Sequence, residues 1–352
     1  MSDNIIVDTA TRIFADHCEP QTINAAEEGH WPEELWAALE ESGLTLAWVP
    51  DHLGGAGADM ADGFAVLRVA GRFTAPVPLA ETLMAGWLLA QAGISAPPGP
   101  MTIAPVHEDG NIRLGADGKL QGRARHIPFA RAATHIAALV NKNGAPVVAL
   151  VASGGLGIRQ GTSLAGEPQD TVSFDGVTPI ATGAAPAGLD PVALARFGAA
   201  MRTQQMAGAL EHILDQSVQW SLDRVQFGRP IAKFQAVQHN LATLAGEVAA
   251  AGAAADGAAE TIAAEGPASE RALLDVAAAK VRVGEAASSG AAIAHQVHGA
   301  MGFTYEHSLH HSTRRLWAWR EEFGNETLWA TRLGQIVAAQ GADALWPFIT
   351  QA

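Results

Sequence analysis

The chain has 352 residues, 48% of them hydrophobic and 16% charged, which is enough for two or three folded domains and too apolar for a disordered protein. A formal net charge of −14 argues against nucleic acid and anionic membranes as partners, so an anionic ligand would need a local basic site. Arg314, Arg315, Arg320 and Arg332 are the candidates for that site. No apolar run of roughly 18 residues reads as a transmembrane span. The first residues lack the basic flank and apolar core of a signal peptide, and the lone Cys18 has no disulfide partner, so a cytoplasmic location is expected.

Residues 1–98 read as a helical domain. Trp31-Pro32-Glu33-Glu34 opens a helix with proline and acids in its first turn, where the helix dipole favours them, and Gly43 ends it. Gly54-Gly55-Ala56-Gly57 is a loop, with Asp59 or Asp62 placed to cap the next helix, whose Phe64, Val66, Leu67 and Val69 mark it as buried.

Between 99 and 182 the period shortens. The runs Ile112–Leu114, His135–Val140, Pro146–Val151 and Thr171–Phe174 alternate with Asp117-Gly118, Asn143-Gly144 and Gly154-Gly155, as strands and turns require. This predicts a small antiparallel β domain in the middle of a mainly α chain, left through an Ala/Gly/Pro linker at 181–187.

From 183 to 352 the pattern is helical again. Met206, Leu210, Leu214, Val218 and Leu222 form a stripe that stops at Arg224. A second helix carries Phe234, Val237, Leu241, Leu244 and Val248 into an alanine-rich stretch, and Gly266-Pro267 breaks it. Ser269 caps a third helix reaching His295, and a final one carries Leu328, Leu333, Ile336 and Val337, which together predict a four-helix bundle.

Two stretches of this last region carry chemistry. Arg224-Val225-Gln226-Phe227-Gly228-Arg229-Pro230 is followed by Phe234-Gln235, and Gln296-Val297-His298-Gly299-Ala300-Met301-Gly302 runs on toward Arg314. Glycine lets backbone approach a ligand closely, and Arg, Gln and His supply donors around the opening. Read alone, the Gln296 stretch is equally a glycine-rich turn between two helices, and Arg224 equally a residue that caps a helix C-terminus. In this order, separated by two long helices, they resemble the C-terminal half of the acyl-CoA dehydrogenases, and the order helical, β, helical bundle matches that family across essentially the whole chain.

The resemblance implies α,β-dehydrogenation of a CoA thioester with FAD, in an oligomer whose flavin lies between subunits, and it implies an acyl-CoA substrate and an electron acceptor. Arg224, Gln226 and Phe227 would meet the pyrophosphate region of a neighbour's FAD, Phe234 and Gln235 would lie along its adenosine, and Gln296, His298, Gly299 and Ala300 match the second adenosine-side segment. The half-site for the chain's own flavin ring is poorer. Met101–His107 stands where the family has a glycine- and serine-containing segment, and His126-Ile127-Pro128 stands where it has Trp-Ile-Thr. Proline offers neither N–H nor hydroxyl there.

The base is displaced too. Arg314 and Gly324 align with family residues, but the usual catalytic glutamate falls at Phe323, and the alternative position on an earlier helix falls at Gly198. Glu322 is the nearest candidate base, with Glu321 and Glu326 close by, and surface carboxylates are the competing reading of all of them. Loss of one half-site beside retention of the other implies a subunit that completes a partner's flavin site in a heterotetramer, a type that often acts on bulky thioesters such as steroid side chains. The competing versions are a self-sufficient homotetramer and a non-catalytic assembly subunit with the same fold. His295, His298, His307, His310 and His311 are an alternative metal cluster, since His307 and His311 are four apart on a possible helix; zinc sites usually add a tightly spaced carboxylate or thiolate, so no metal is expected.

Overall fold

The computed structural model describes residues 5–108 and 110–350. Five helices come first: α1 Ile5–His17, α2 Pro20–Glu27, α3 Glu33–Glu41, α4 Met60–Arg72 and α5 Leu79–Gln91. Nine strands follow, β1 Met101–Ala104, β2 Arg113–Leu114, β3 Leu120–Gln121, β4 Arg123–Pro128, β5 His135–Lys142, β6 Ala145–Ala152, β7 Gly157–Arg159, β8 Gln169–Ser173 and β9 Ala181–Ala184. The remainder is helical apart from one hairpin: α6 Pro191–Asp223, β10 Val225–Gln226, β11 Arg229–Pro230, α7 Gln235–Glu265, α8 Glu270–His298, α9 Leu309–Glu321, α10 Glu326–Gln340 and α11 Leu345–Thr350.

Helix α6 is the axis of the molecule. Asp190 caps it by accepting from the Ala193 amide at 2.8 Å, and Pro191 supplies the fixed φ that suits a first turn. From Ala193 to Leu210 it is buried on all faces, so it reads as a core helix instead of an amphipathic one. It crosses α4 where Gly71 and Gly208 let the two backbones touch: a Cβ at either would overlap the other helix's main chain. Apolar side chains from the N-terminal helices, the sheet and α6 form one continuous core, and α6, α7, α8 and α9 share a second. Ser269 caps α8 as expected, accepting from Ala272 at 3.0 Å.

Several expectations are corrected. Residues 181–184 are a strand, not a linker: β9 pairs with β6 from Val147↔Ala184 to Leu150↔Ala181, and its small side chains suit a close edge, with Gly183 against the Ala92 carbonyl. The larger sheet, ordered β3-β2-β5-β6-β9, is not purely antiparallel, because β1 and β2 both run parallel to β5. The second sheet, β4-β8-β7, is antiparallel. Asp59 stands at the N-cap of α4 but makes no side-chain cap bond. Helix α8 runs on to His298, and α9, which the histidine-rich sequence disguised, is a further bundle helix that buries Leu309, Leu316 and Trp319.

Candidate functional site

The chain places its two chemical motifs at one end of the bundle. Past the C-terminus of α6, Val225↔Pro230 and Gln226↔Arg229 pair as a two-residue hairpin whose central Phe227 and Gly228 have φ of 52° and 77°. Two positive φ values define the mirror-image turn that matches strand twist. The Ile231 amide donates to the Arg224 carbonyl at 2.9 Å and closes its base. Phe227 is 92% exposed, edge-on to Phe234 at 6.1 Å, while the Arg229 guanidinium lies 4.4 Å from the Phe234 ring. Arg224, Gln226 and Gln235 are exposed. The hairpin thus holds itself in shape by local contacts and leaves Arg224, Gln226 and Phe227 exposed.

The second motif meets it through Trp220. That ring stacks on His298 at 5.3 Å and meets His307 edge-on at 5.4 Å, which ties the end of α6 to the end of α8. His298 is buried; its Nδ1–H donates to the Ala294 carbonyl at 2.8 Å, leaving Nε2 a buried acceptor without a protein partner. Burial holds its pKa down at about 4, so the ring is neutral. Gln296, Gly299 and Ala300 face solvent beside it.

Glu322 lies at the far end of α9, about 20 Å of helix away. It is not a surface carboxylate. Its side chain is one-tenth exposed, and Oε2 accepts from Arg202 Nε at 2.8 Å and Nη2 at 2.7 Å. The same guanidinium reaches buried Glu81 and Gln205, and lies 5.8 Å and 5.9 Å from the Trp319 and Phe323 rings. Trp319 in turn donates to Glu167, which pairs with fully buried Arg315 at 2.9 Å. Burial raises the Glu322 pKa against the pull of Arg202, and burial likewise raises Glu167; burial alone would lower Arg202, but Glu322 and Glu81 hold it charged. The free oxygen of Glu322 faces Gln169 Nε2 at 3.4 Å, in the wall of a cavity of about 240 Å³.

Across that cavity stand Val106, His107, His126 and Pro128, with the His107 and His126 rings joined by a 3.0 Å hydrogen bond. A wider cleft of about 410 Å³ adjoins it, sharing Val106, His107 and Glu321 and containing Glu108 and Arg332. Phe323 lines both. The ring packs so tightly on Gly198 that a Cβ there would lie 2.6 Å from Cζ and closer still to Cε1 and Cδ1. Both positions where the family resemblance places a base are therefore apolar, and each occupies the other's space.

The basic tail dissolves as an anion site. Arg314 binds Glu27 at 2.7 Å, Arg315 binds Glu167, Arg320 binds Glu326 at 2.5 Å, and Arg332 chelates Glu108. Of the other nearby acids, Glu321 is exposed beside Arg320 and Asn325. His307 precedes α9, so it does not share a helix with His311, and among the described residues no group of three or more His, Cys, Asp or Glu is placed to hold a metal ion. Sequence reading missed Arg202, Glu81, Lys280 and the His107–His126 pair. The signal available was charge at the end of an apolar run: Arg202 follows Phe197–Met201 and Lys280 follows Val276–Ala279.

An N-terminal helical unit, two small sheets and a helical bundle built on a buried central helix define the architecture. The profile "Acyl-CoA dehydrogenase, N-terminal domain" matches residues 2–96 and "Acyl-CoA dehydrogenase, C-terminal domain" matches 192–333, so the chain belongs to the acyl-CoA dehydrogenase family. It is similar to acyl-CoA dehydrogenase IpdE2 of Mycolicibacterium smegmatis, 28% identical over 87% of this chain and 89% of that protein. It is also similar to acyl-CoA dehydrogenase FadE27 of Mycobacterium tuberculosis, 29% identical over 80% and 82%. Among solved structures, the ChsE4-ChsE5 complex from M. tuberculosis has a chain that superposes with a TM-score of 0.86 at 23% identity, covering 96% of this chain and 97% of that one. Butyryl-CoA dehydrogenase from Megasphaera elsdenii superposes with 0.82 at 19%, covering 96% and 98%. Among the described residues no helix is long and apolar enough to cross a membrane.

Proposed function

We propose that this chain is the flavin-completing subunit of a heteromeric acyl-CoA dehydrogenase, lending Arg224, Gln226, Gln296 and His298 to an FAD whose ring and base belong to a partner of the same family. The observation that carries this reading is the contrast between the two half-sites. The arm is self-supported and exposed, with an arginine to meet pyrophosphate and an unpartnered His298 acceptor beside it; charge-assisted bonds to phosphate are strong and directional. The chain's own ring side offers no equivalent. Pro128 has no N–H, its carbonyl is already taken by Thr102 Oγ1 at 2.7 Å, and Phe323 fills the space over Gly198.

FAD, when bound, supplies the acceptor for the hydride leaving the β carbon of the thioester. The residues of this chain would anchor and orient the cofactor from its adenosine end, and proton abstraction from the α carbon falls to the partner. Glu322 is not free to act as a base as it stands: burial raises its pKa, but its Oε2 is held by Arg202 in a buried ion pair.

The test is an absorbance spectrum, flavin-to-protein ratio and molar mass for the chain purified alone, then with a family partner. The expected result is a colourless isolated chain and a yellow complex, with Arg224→Ala and Gln296→Ala lowering flavin content of the complex. One FAD per chain in a homo-oligomer would overturn the proposal. A complex that assembles without flavin depending on Arg224 would favour a purely architectural subunit.

A further inference from the structure

A cavity of about 210 Å³ lies between the end of α8 and α9, and much of its wall is aromatic. His295 of α8 stacks on Phe303 at 4.3 Å and on Trp317 at 5.9 Å. Phe303 is 71% exposed, so its other face is open. The loop presenting these rings is fixed. A Cβ on Gly302 would lie 3.0 Å from both His298 Cβ and Leu309 Cδ2, so the backbone before Phe303 sits flush against both helices. The Thr304 amide and hydroxyl donate to the Met301 carbonyl at 3.1 Å and 2.9 Å, and the Leu309 amide donates to His307 Nδ1 at 3.1 Å. His310, also in the wall, is left with an unmet need. It is 8% exposed, and its Nδ1 lies 2.7 Å from the His307 carbonyl, which can only accept, so Nδ1 carries the proton. Nε2 of the neutral ring is then a buried lone pair with no partner among the described residues. A buried acceptor without a donor is costly, so a donor from outside the chain is called for. The Tyr305 ring lies edge-on to His310 at 5.2 Å and is 81% exposed, so it can turn aside to admit one.

We propose that this cavity is the anchor pocket for an arginine side chain of a partner protein, whose guanidinium stacks on the open face of Phe303 and donates an N–H to His310 Nε2. The size favours a side chain: the cavity is smaller than the roughly 300–1,000 Å³ of small-molecule pockets, and exposed aromatic rings beside a buried acceptor are the setting in which arginine anchors an interface. The chemistry selects the group. A guanidinium is planar, stacks on aromatic faces and only donates, whereas an ammonium has no flat face and a carboxylate or phosphate would meet the His310 lone pair. The charges agree. Arg314 stands in the wall but is spent on Glu27 at 2.7 Å and on the Leu164 carbonyl at 2.9 Å. Burial holds the His295 pKa below its ordinary value, so that ring adds no positive charge at neutral pH. Glu306, exposed, follows Tyr305 at the rim, and the chain as a whole carries −14, which draws a basic partner. This inference does not depend on which chain holds the flavin.

The experiment titrates the peptide acetyl-Gly-Arg-Gly-amide into the whole chain, isotope-labelled at its tryptophans, and follows the Trp317 indole N–H by NMR, with Trp317→Phe used to assign that signal. The expected result is a saturable shift with a Kd of about 1–10 mM, the range open to one anchored side chain. The same peptide with citrulline in place of arginine keeps the shape and loses the charge, and it should bind at least about fivefold more weakly, as should the lysine peptide. Phe303→Ala should weaken arginine binding by about fivefold with an unchanged thermal midpoint, since its side chain is exposed. His310→Phe, which keeps a ring and removes the acceptor, should weaken it likewise; if that variant does not fold, Phe303→Ala decides alone. Citrulline or lysine peptides that bind as well as arginine, wild-type affinity in Phe303→Ala, or a Trp317 signal that does not move at about 50 mM arginine peptide would each overturn the proposal.

Discussion

Replacing Gly198 by alanine probes the contact between α6 and the turn after α9. The added Cβ would sit 2.6 Å from Phe323 Cζ and nearer to two other ring carbons. Carbon atoms in contact prefer about 3.5–4.0 Å, so the ring must shift by about 1 Å within a packed core, at the upper end of the roughly 1–3 kcal/mol range for overpacking. Gly198 is interior to α6, where exchanging glycine for alanine returns about 1 kcal/mol. The net expectation is destabilisation by about 2 kcal/mol. In a Phe323→Ala background the clash is gone, and the same substitution should stabilise by about 1 kcal/mol. Urea unfolding of the four proteins, followed by circular dichroism, closes the cycle with a coupling of about 3 kcal/mol, against the roughly 0.5 kcal/mol scatter of independent sites. Gly198→Ala that is neutral in the wild type, or additive with Phe323→Ala, would refute the interlock.

Arg202→Met should be more damaging, destabilising by about 3–5 kcal/mol, because it strands Glu81 and Glu322 without their shared countercharge; thermal unfolding beside Glu322→Gln checks this. His298 and His311 titrate near 4 and 3, held below the ordinary 6.5 by burial, so their contribution to stability is full above about pH 6.5 and is lost as pH falls toward 4. The thermal midpoint should fall over that window, and less steeply in His298→Asn. Burial pushes the Cys18 thiol up to about 12, so a disulfide reagent at about pH 8 should leave the native chain unlabelled and react at once in denaturant. Arg224→Ala, by contrast, should move the midpoint of the isolated chain by no more than about 0.5 kcal/mol, since its side chain is exposed.

The helical stripe ending at Leu222 and the strand punctuation between Asp117 and Gly155 were legible because each follows the period of its own backbone. Helix α9 was not, since Leu309, Leu316 and Trp319 are its only large buried apolar side chains and histidines and arginines fill the rest of the inward face. Strand β9 was hidden by its composition: Ala-Thr-Gly-Ala reads as a linker until the edge of β6 is there to pair with it. The motif at Arg224 stood out in the sequence, but the hairpin it forms did not, although its turn, closing bond and aromatic contacts all fall within a dozen residues. The buried charge network could not. Glu81 and Arg202 are 121 positions apart, and only the fold, which also brings Trp87 of α5 onto Phe197 of α6, makes them partners.

The interlock of Phe323 with Gly198 also limits what either position can become. A carboxylate introduced at position 198 by one substitution would be driven into the ring, and one introduced at 323 would enter a pocket shaped for phenyl beside a Glu322 already paired with Arg202. Either single change therefore passes through a strained contact. The exposed hairpin carries no such constraint: its side chains contribute little to the fold and can be exchanged without cost to it.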